Sequence, residues 1–310
     1  MIPQSIETTF TFTDPDDFHI FVRKWTPPAG ASLKATVLAA HGAAEHSLRY
    51  ARLAEYLNAS GYVVYAPDHR GHWMTAGSLD KASYAGPDGW NGMLKDMHQL
   101  AGSIHQEYPG LPLFLFGHSM GSLMAQGYIE SWGVELEGAI LSGTFGSLPG
   151  VEQILPMAEG LAQGETADQP SMIFVNMFGS FNAPFAPGKT GFEWLSRDEA
   201  EVQKYVDDPW CGFPFTNAMV YEMFKGGLQT WQPESEACIP KDLPLLVFSG
   251  EQDPAGGNTV SVKELVQRYQ AQGIKEITVK FYPGARHETL NETNREEVME
   301  DLLVWLDKHV

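Results

Sequence analysis

Leu113-Phe-Leu-Phe-Gly-His-Ser-Met-Gly-Ser122 is the stretch whose reading decides the fold. Residues Leu111 to Phe116 are apolar or aromatic apart from Pro112. They pass directly into Gly117-His118-Ser119-Met120-Gly121, and Ala125, Tyr128 and Ile129 then recur at helical spacing. The pattern predicts a buried strand, a sharp turn and a helix in one line. Glycine on either side of the turn fits a strained elbow, where a side chain would collide with a neighbouring element. Ser119 would then project from the helix N-terminus. The competing reading makes Ser119 a solvent-facing N-cap in a Gly-rich turn, and the apolar strand leading into it favours the elbow.

Working outward from the elbow, strand and helix patterns alternate. Residues 4–25 carry β-formers on both sides of Asp14-Pro15-Asp16-Asp17 and read as a hairpin. Ala35–Ala40 and Tyr62–Ala66 are short apolar runs of the kind buried on both faces of a parallel sheet. Helical spacing occupies Leu48–Ser60, stopped by Gly61, and Trp90–Tyr108, stopped by Pro109-Gly110. Beyond the elbow helix, which runs to Trp132, a strand is expected at Leu136–Ser142. The alternation returns with strands at Leu243–Phe248 and Ile277–Tyr282 and helices at Thr259–Ala271 and Glu292–His309. The whole predicts an α/β chain with a mainly parallel central sheet and helices on both faces.

Residues 146–236 break this rhythm. They contain Pro and Gly punctuation and short helical runs, of which Arg197–Tyr205 is the clearest, with no convincing buried strand. The expected organisation is a core of residues 1–145 and 237–310 interrupted by a largely helical cap at 146–236. The cap segment is rich in Met and aromatic residues, side chains suited to a wall that accepts flexible hydrocarbon. The same residues also serve a segment that needs a core of its own. Its thirteen acidic and four basic residues give it a formal charge of −9, read as a solvated outer face.

Composition narrows the possibilities. With 310 residues, 43% of them hydrophobic and 12% aromatic, the chain can bury a large core. No stretch approaches the roughly 18 apolar residues of a membrane span, and the N-terminal residues do not read as a signal peptide, so a soluble cytoplasmic protein is expected. The formal net charge of −19 disfavours nucleic acid and anionic membranes as partners. The two cysteines, Cys211 and Cys238, suit neither a disulfide framework nor a zinc pattern in which ligands pair a few residues apart.

A serine hydroxyl needs a base within hydrogen-bond reach and a third group to orient that base. In an elbow architecture these follow in the order serine, acid, histidine, each just after a sheet strand. Of the ten histidines, only His287 and His309 lie beyond the last plausible acid. His309 falls on the final helix, whereas His287 follows the last strand at a glycine turn. Asp253, after the strand ending at Phe248, is the preferred acid, with Glu251 as the fallback. The backbone amides of Met120 and Ala43 are the expected oxyanion donors. His41 and His46 are read as holding their loop by hydrogen bonds, and His118 as a packing residue. With His287 as base, activity is expected to fall below about pH 6.

Four stretches, His41-Gly-Ala-Ala-Glu-His-Ser47, Asp68-His-Arg-Gly-His72, Gly117-His-Ser-Met-Gly121 and Gly284-Ala-Arg-His-Glu288, resemble the α/β-hydrolase superfamily. The likeness narrows to its monoacylglycerol lipase and lysophospholipase-like serine hydrolases. Leu195–Asp198 through Asp208-Pro209 is also similar to bacterial members. The resemblance implies a Ser119, Asp253, His287 triad, an oxyanion hole from Ala43 and Met120, and hydrolysis of a small-molecule or lipid ester with a hydrophobic acyl chain, without cofactor or metal. Trp73 and Ala44 depart from the pattern, each standing where a small residue or glycine is usual. The alternatives are another serine hydrolase of the fold, an aminopeptidase or perhydrolase, and a non-catalytic binding protein.

Overall fold

The computed structural model describes residues 5–310. Its centre is an eight-stranded sheet in the order β1-β2-β4-β3-β5-β6-β7-β8. The strands are β1 (Ile6–Thr13), β2 (His19–Thr26), β3 (Ala35–Ala40), β4 (Tyr62–Pro67), β5 (Leu113–His118), β6 (Gly138–Ser142), β7 (Leu245–Gly250) and β8 (Ile277–Tyr282). β1 and β2 form the expected hairpin and β2 runs antiparallel to β4, while every pairing from β4 to β8 is parallel. β3 to β7 are buried along their whole length, which is why they read as unbroken apolar runs rather than alternating ones.

The helices are α1 (Ala51–Asn58), α2 (Trp73–Ala76), α3 (Gly89–Glu107), α4 (Met120–Trp132), α5 (Val151–Leu161), α6 (Met172–Phe181), α7 (Glu199–Asp207), α8 (Asn217–Thr230), α9 (Pro233–Glu236), α10 (Val260–Ala271) and α11 (Arg295–Lys308). Alternate strand residues face two separate cores. Leu38, Leu115, Leu141 and Val247 pack with Leu100 of α3, Leu123 and Tyr128 of α4 and Leu265 of α10. Val37, Phe114, Phe116, Ile140 and Phe248 pack on the other face with Leu57 of α1 and Leu302 and Trp305 of α11. Among the described residues no helix is long and apolar enough to cross a membrane.

Two elements differ from expectation. The helix predicted over Leu48–Ser60 opens as a tight 3-10 turn, Ser47–Tyr50, before α1; the buried Asp68 carboxylate accepts the Ser47 amide and fixes where the loop enters. Between β6 and β7, α8 is longer than the short runs foreseen. Its Met219, Val220, Met223 and Phe224 belong to the same apolar cluster as the sheet face beneath them.

The chain winds from β3 outward to β4, then returns to place β5 on the opposite side of β3. Such a reversal opens a crevice at the carboxyl ends of the strands, and the loops leaving β3, β4, β5, β7 and β8 all meet there. α8 closes onto this body through Gly226, where an added Cβ would lie 2.2 Å from the buried Trp90 ring. Gly226→Ala is therefore expected to cost about 1–3 kcal/mol by overpacking, read as a lower denaturant midpoint with an unchanged slope. An unaltered midpoint would mean that α8 does not press on α3 in solution.

Candidate active site

The elbow is built by a contact that only glycine permits. A Cβ at position 121 would lie 2.2 Å from the Ala40 carbonyl oxygen at the end of β3, and one at position 117 would lie 2.3 Å from the Gly121 carbonyl oxygen. α4 thus starts hard against the β3–β5 edge, and Ser119 takes φ 54° and ψ −118° to make the turn. Its amide is held by the Ser142 carbonyl of β6 at 3.0 Å. The side chain is half-buried, and among the described residues its hydroxyl makes no hydrogen bond.

Asp253 and His287 meet in the buried space beyond. Nδ1 of His287 lies 3.0 Å from both carboxylate oxygens of Asp253, and the two residues are 2% and 0% exposed. The carboxylate also accepts the Ala255 amide at 2.9 Å and the Ser249 hydroxyl at 3.0 Å. Burial raises the Asp253 pKa, but the imidazolium opposite and these donors outweigh it and bring the group below the ordinary carboxylate value. Burial likewise lowers the His287 pKa, and the Asp253 charge and hydrogen bond, with Glu288 and Glu45 farther off, raise it above 6.5 overall. Glu251, the fallback acid, is exposed and accepts nothing from His287.

In the loop after β3 the Ala43 amide lies between two that are held. Gly42 N–H donates to Glu45 and Ala44 N–H donates to Nε2 of His72 at 3.2 Å. Among the described residues Ala43 N–H, between them, has no partner, and neither has Met120 N–H at the start of α4. A Cβ on residue 42 would stand 3.1 Å from Cβ of Ser119, so this loop borders the serine. Ala44 occupies φ 51°, the left-handed region where glycine costs least. Its carbonyl is tied from above by Gly212 N–H at 2.9 Å and the Tyr205 hydroxyl at 3.1 Å. Trp73 lies against the His46 ring and under the Arg23 guanidinium.

His41 and His72 hold backbone. Nδ1 of His41 pairs with the Gly42 carbonyl at 2.8 Å and Nε2 accepts the His69 amide at 3.0 Å; its ring packs against those of His69 and His72. Burial first, and mutual repulsion second, push His41 far below its ordinary value and His69 to about 3. Burial brings His72 and His118 to about 4. These four rings are neutral near pH 7, whereas His287 is shifted the other way. His46 bonds Asp208, in the segment between β6 and β7, at 2.9 Å. Together with Cys211 these two form the one group of three or more potential metal ligands among the described residues.

Sequence reasoning missed the residues that brace this constellation. Arg49 donates to Glu45 and grips both oxygens of Glu288 at 2.6 and 2.7 Å, so one guanidinium joins the β3 loop to the residue after His287. The spacing of Glu45 and Arg49, four apart, was the only local signal. Between β6 and β7, the Trp194 ring lies 4.8 Å from that of His287, and the Trp194 and Leu195 carbonyls accept the His287 and Glu288 amides at 3.3 and 2.8 Å. Arg286 donates to the Glu193 and Ser196 carbonyls at 2.6 and 3.1 Å.

Residues 31–294 match the family described as serine aminopeptidase, S33. The chain is 28% identical to a monoacylglycerol lipase of Mycolicibacterium smegmatis over 99% of each chain. It is 29% identical to the human monoglyceride lipase, over 92% of this chain and 86% of that one. A thermostable carboxyl esterase from Bacillus coagulans, solved with glycerol, superposes with a TM-score of 0.91 at 29% identity, covering 98% of both chains.

Removing Arg49 strands two carboxylates whose side chains are only 4% and 7% exposed. Arg49→Ala is expected to destabilise the protein by about 3–5 kcal/mol, measured by urea unfolding at pH 7, with Arg49→Lys recovering part of the loss. A change below about 1 kcal/mol would show that water reaches the trio.

Proposed function

We propose that this chain, which belongs to the serine aminopeptidase S33 family of α/β-hydrolases, is a serine carboxylic-ester hydrolase of the monoacylglycerol lipase kind. The observation that carries the reading is the buried Asp253–His287 pair at 3.0 Å beside a serine on a strained elbow. Nδ1–H faces Asp253, which leaves Nε2 as the lone-pair side of the ring and so the side that can take a proton. His287 would accept the Ser119 proton as the hydroxyl attacks the ester carbonyl. The free amides of Ala43 and Met120 would stabilise the oxyanion, and the alcohol would leave with the proton. Water then repeats the sequence on the acyl-enzyme. The hydroxyl and Nε2 align in the substrate complex, since such bonds are often loose before substrate binds.

A row of rings supports a hydrophobic acyl group. From His287 it runs through Trp194 at 4.8 Å to Phe178 at 5.5 Å, then to Phe174 at 4.0 Å and Phe215 at 4.5 Å. All but His287 belong to residues 146–236, which we take to act as the cap over the site. The family description names peptide chemistry, so the assay carries an amide arm.

Ser119→Ala should remain folded and lose about a thousandfold or more of its p-nitrophenyl ester hydrolysis, together with labelling by a fluorophosphonate. Retention of a tenth of the rate would end the proposal. Faster cleavage of an aminoacyl p-nitroanilide than of any ester from acetate to palmitate would move it to the aminopeptidase reading. The pH profile is a separate check. Because the His287 pKa is raised, the neutral base is depleted as pH falls through a point above 6.5, higher than the ordinary histidine suggests. kcat/KM should drop about tenfold per pH unit below that midpoint. A midpoint under about pH 5, far below the ordinary histidine value, would remove His287 as the base.

A further inference from the structure

The two cysteines are too far apart in sequence, and too far from paired histidines, to suggest a metal site, yet folding brings His46, Asp208 and Cys211 together. One ligand atom from each lies within 4.8 Å of the others. We propose that they form a binding site for a soft divalent cation of the zinc type, with a water as fourth ligand. This site is separate from the ester-hydrolysing centre and does not depend on that reading.

The donor set is chemically suited to such an ion: an imidazole, a carboxylate and a thiol that becomes a thiolate on binding, its proton going to solvent. In a tetrahedral zinc site neighbouring donor atoms stand about 3.3–3.8 Å apart, so a closure of about one ångström per donor completes the geometry. His46 is 2% exposed, and its Nε2 is bonded to Asp208 Oδ2 at 2.9 Å; the ion would replace that bond, with the ring proton moving to Nδ1, which has no partner among the described residues. The other Asp208 oxygen is fixed by the Trp210 amide at 2.8 Å, which orients the carboxylate. Sγ of Cys211 makes no hydrogen bond among the described residues, and it is half-buried rather than sealed.

The remaining position opens onto a surface cavity of about 270 Å³ whose walls include His46, Asp208 and Cys211, which leaves room for water and an entry path. The cations lining that cavity are already matched. Arg49 is held by Glu45 and Glu288, while Arg52 and Lys204 share Glu201 at 2.6 and 2.8 Å. A dication would therefore be balanced by the two negative charges of one carboxylate and one thiolate. It would also link the β3 loop, through His46, to the inserted segment, through Asp208 and Cys211, beside the existing Gly212-to-Ala44 hydrogen bond.

The test is titration of the metal-free protein with Zn²⁺ by calorimetry, and with Co²⁺ by absorption. One equivalent should bind, the cobalt form should show a thiolate charge-transfer band, and melting should shift upward with added Zn²⁺. Cys211→Ser should abolish the band and weaken binding about tenfold or more, Asp208→Asn should weaken it similarly, and Cys238→Ser, which alters the exposed cysteine, should leave it intact. Binding that is undiminished in Cys211→Ser, follows Cys238 instead, or is missing at Zn²⁺ concentrations that saturate ordinary three-ligand sites would overturn the proposal.

Discussion

The start of α4 is pressed against the end of β3 so closely that position 121 has room for a hydrogen and nothing larger, with the Ala40 carbonyl 2.2 Å from where a Cβ would be. That approach sets the site's dimensions. It forces Ser119 into backbone angles that side chains seldom adopt. It leaves the Met120 amide at an uncapped helix end, and it brings the β3 loop with Ala43 alongside. The strain is carried by β5, β3 and β6, which are buried and hydrogen-bonded throughout. A rigid parallel sheet can hold such a turn, whereas a mobile loop would relax it.

Much of this was legible in the sequence because parallel strands buried on both faces leave unbroken apolar runs, and the glycines at 117 and 121 mark where one such run turns sharply into a helix. The order serine, acid, histidine pointed to His287, with Asp253 as the preferred acid and Glu251 as the fallback; in the fold Asp253 is enclosed and Glu251 is in solvent. What could not be read were contacts between distant charges. Arg49 and Glu288 are 239 residues apart, and nothing in either neighbourhood announces the pair. α8 was obscured for a local reason: Gly226-Gly227 looks like a helix break, but the missing side chains are what allow the helix to lie on Trp90. Ala44 stood out as unusual in sequence, while its positive φ and its tethers to Gly212 and Tyr205 exist only in the fold.

The histidines divide by what faces them. His41, His69, His72 and His118 are buried among one another or beside backbone, so burial and mutual repulsion keep them uncharged and usable as hydrogen-bond acceptors and donors of fixed direction. His287 is equally enclosed but faces a carboxylate, and the balance reverses. Five rings of similar depth thus differ in their shift, and the difference comes chiefly from the Asp253 carboxylate that His287 alone is bonded to.

The turn Glu193–Leu195 and Ser196 grip Arg286, His287 and Glu288 through four hydrogen bonds and a ring contact. Any swing of that turn away from the sheet must break those bonds and withdraw the indole from the imidazole. That turn and the imidazole of His287 are therefore mechanically one piece, so displacing either one disturbs the other.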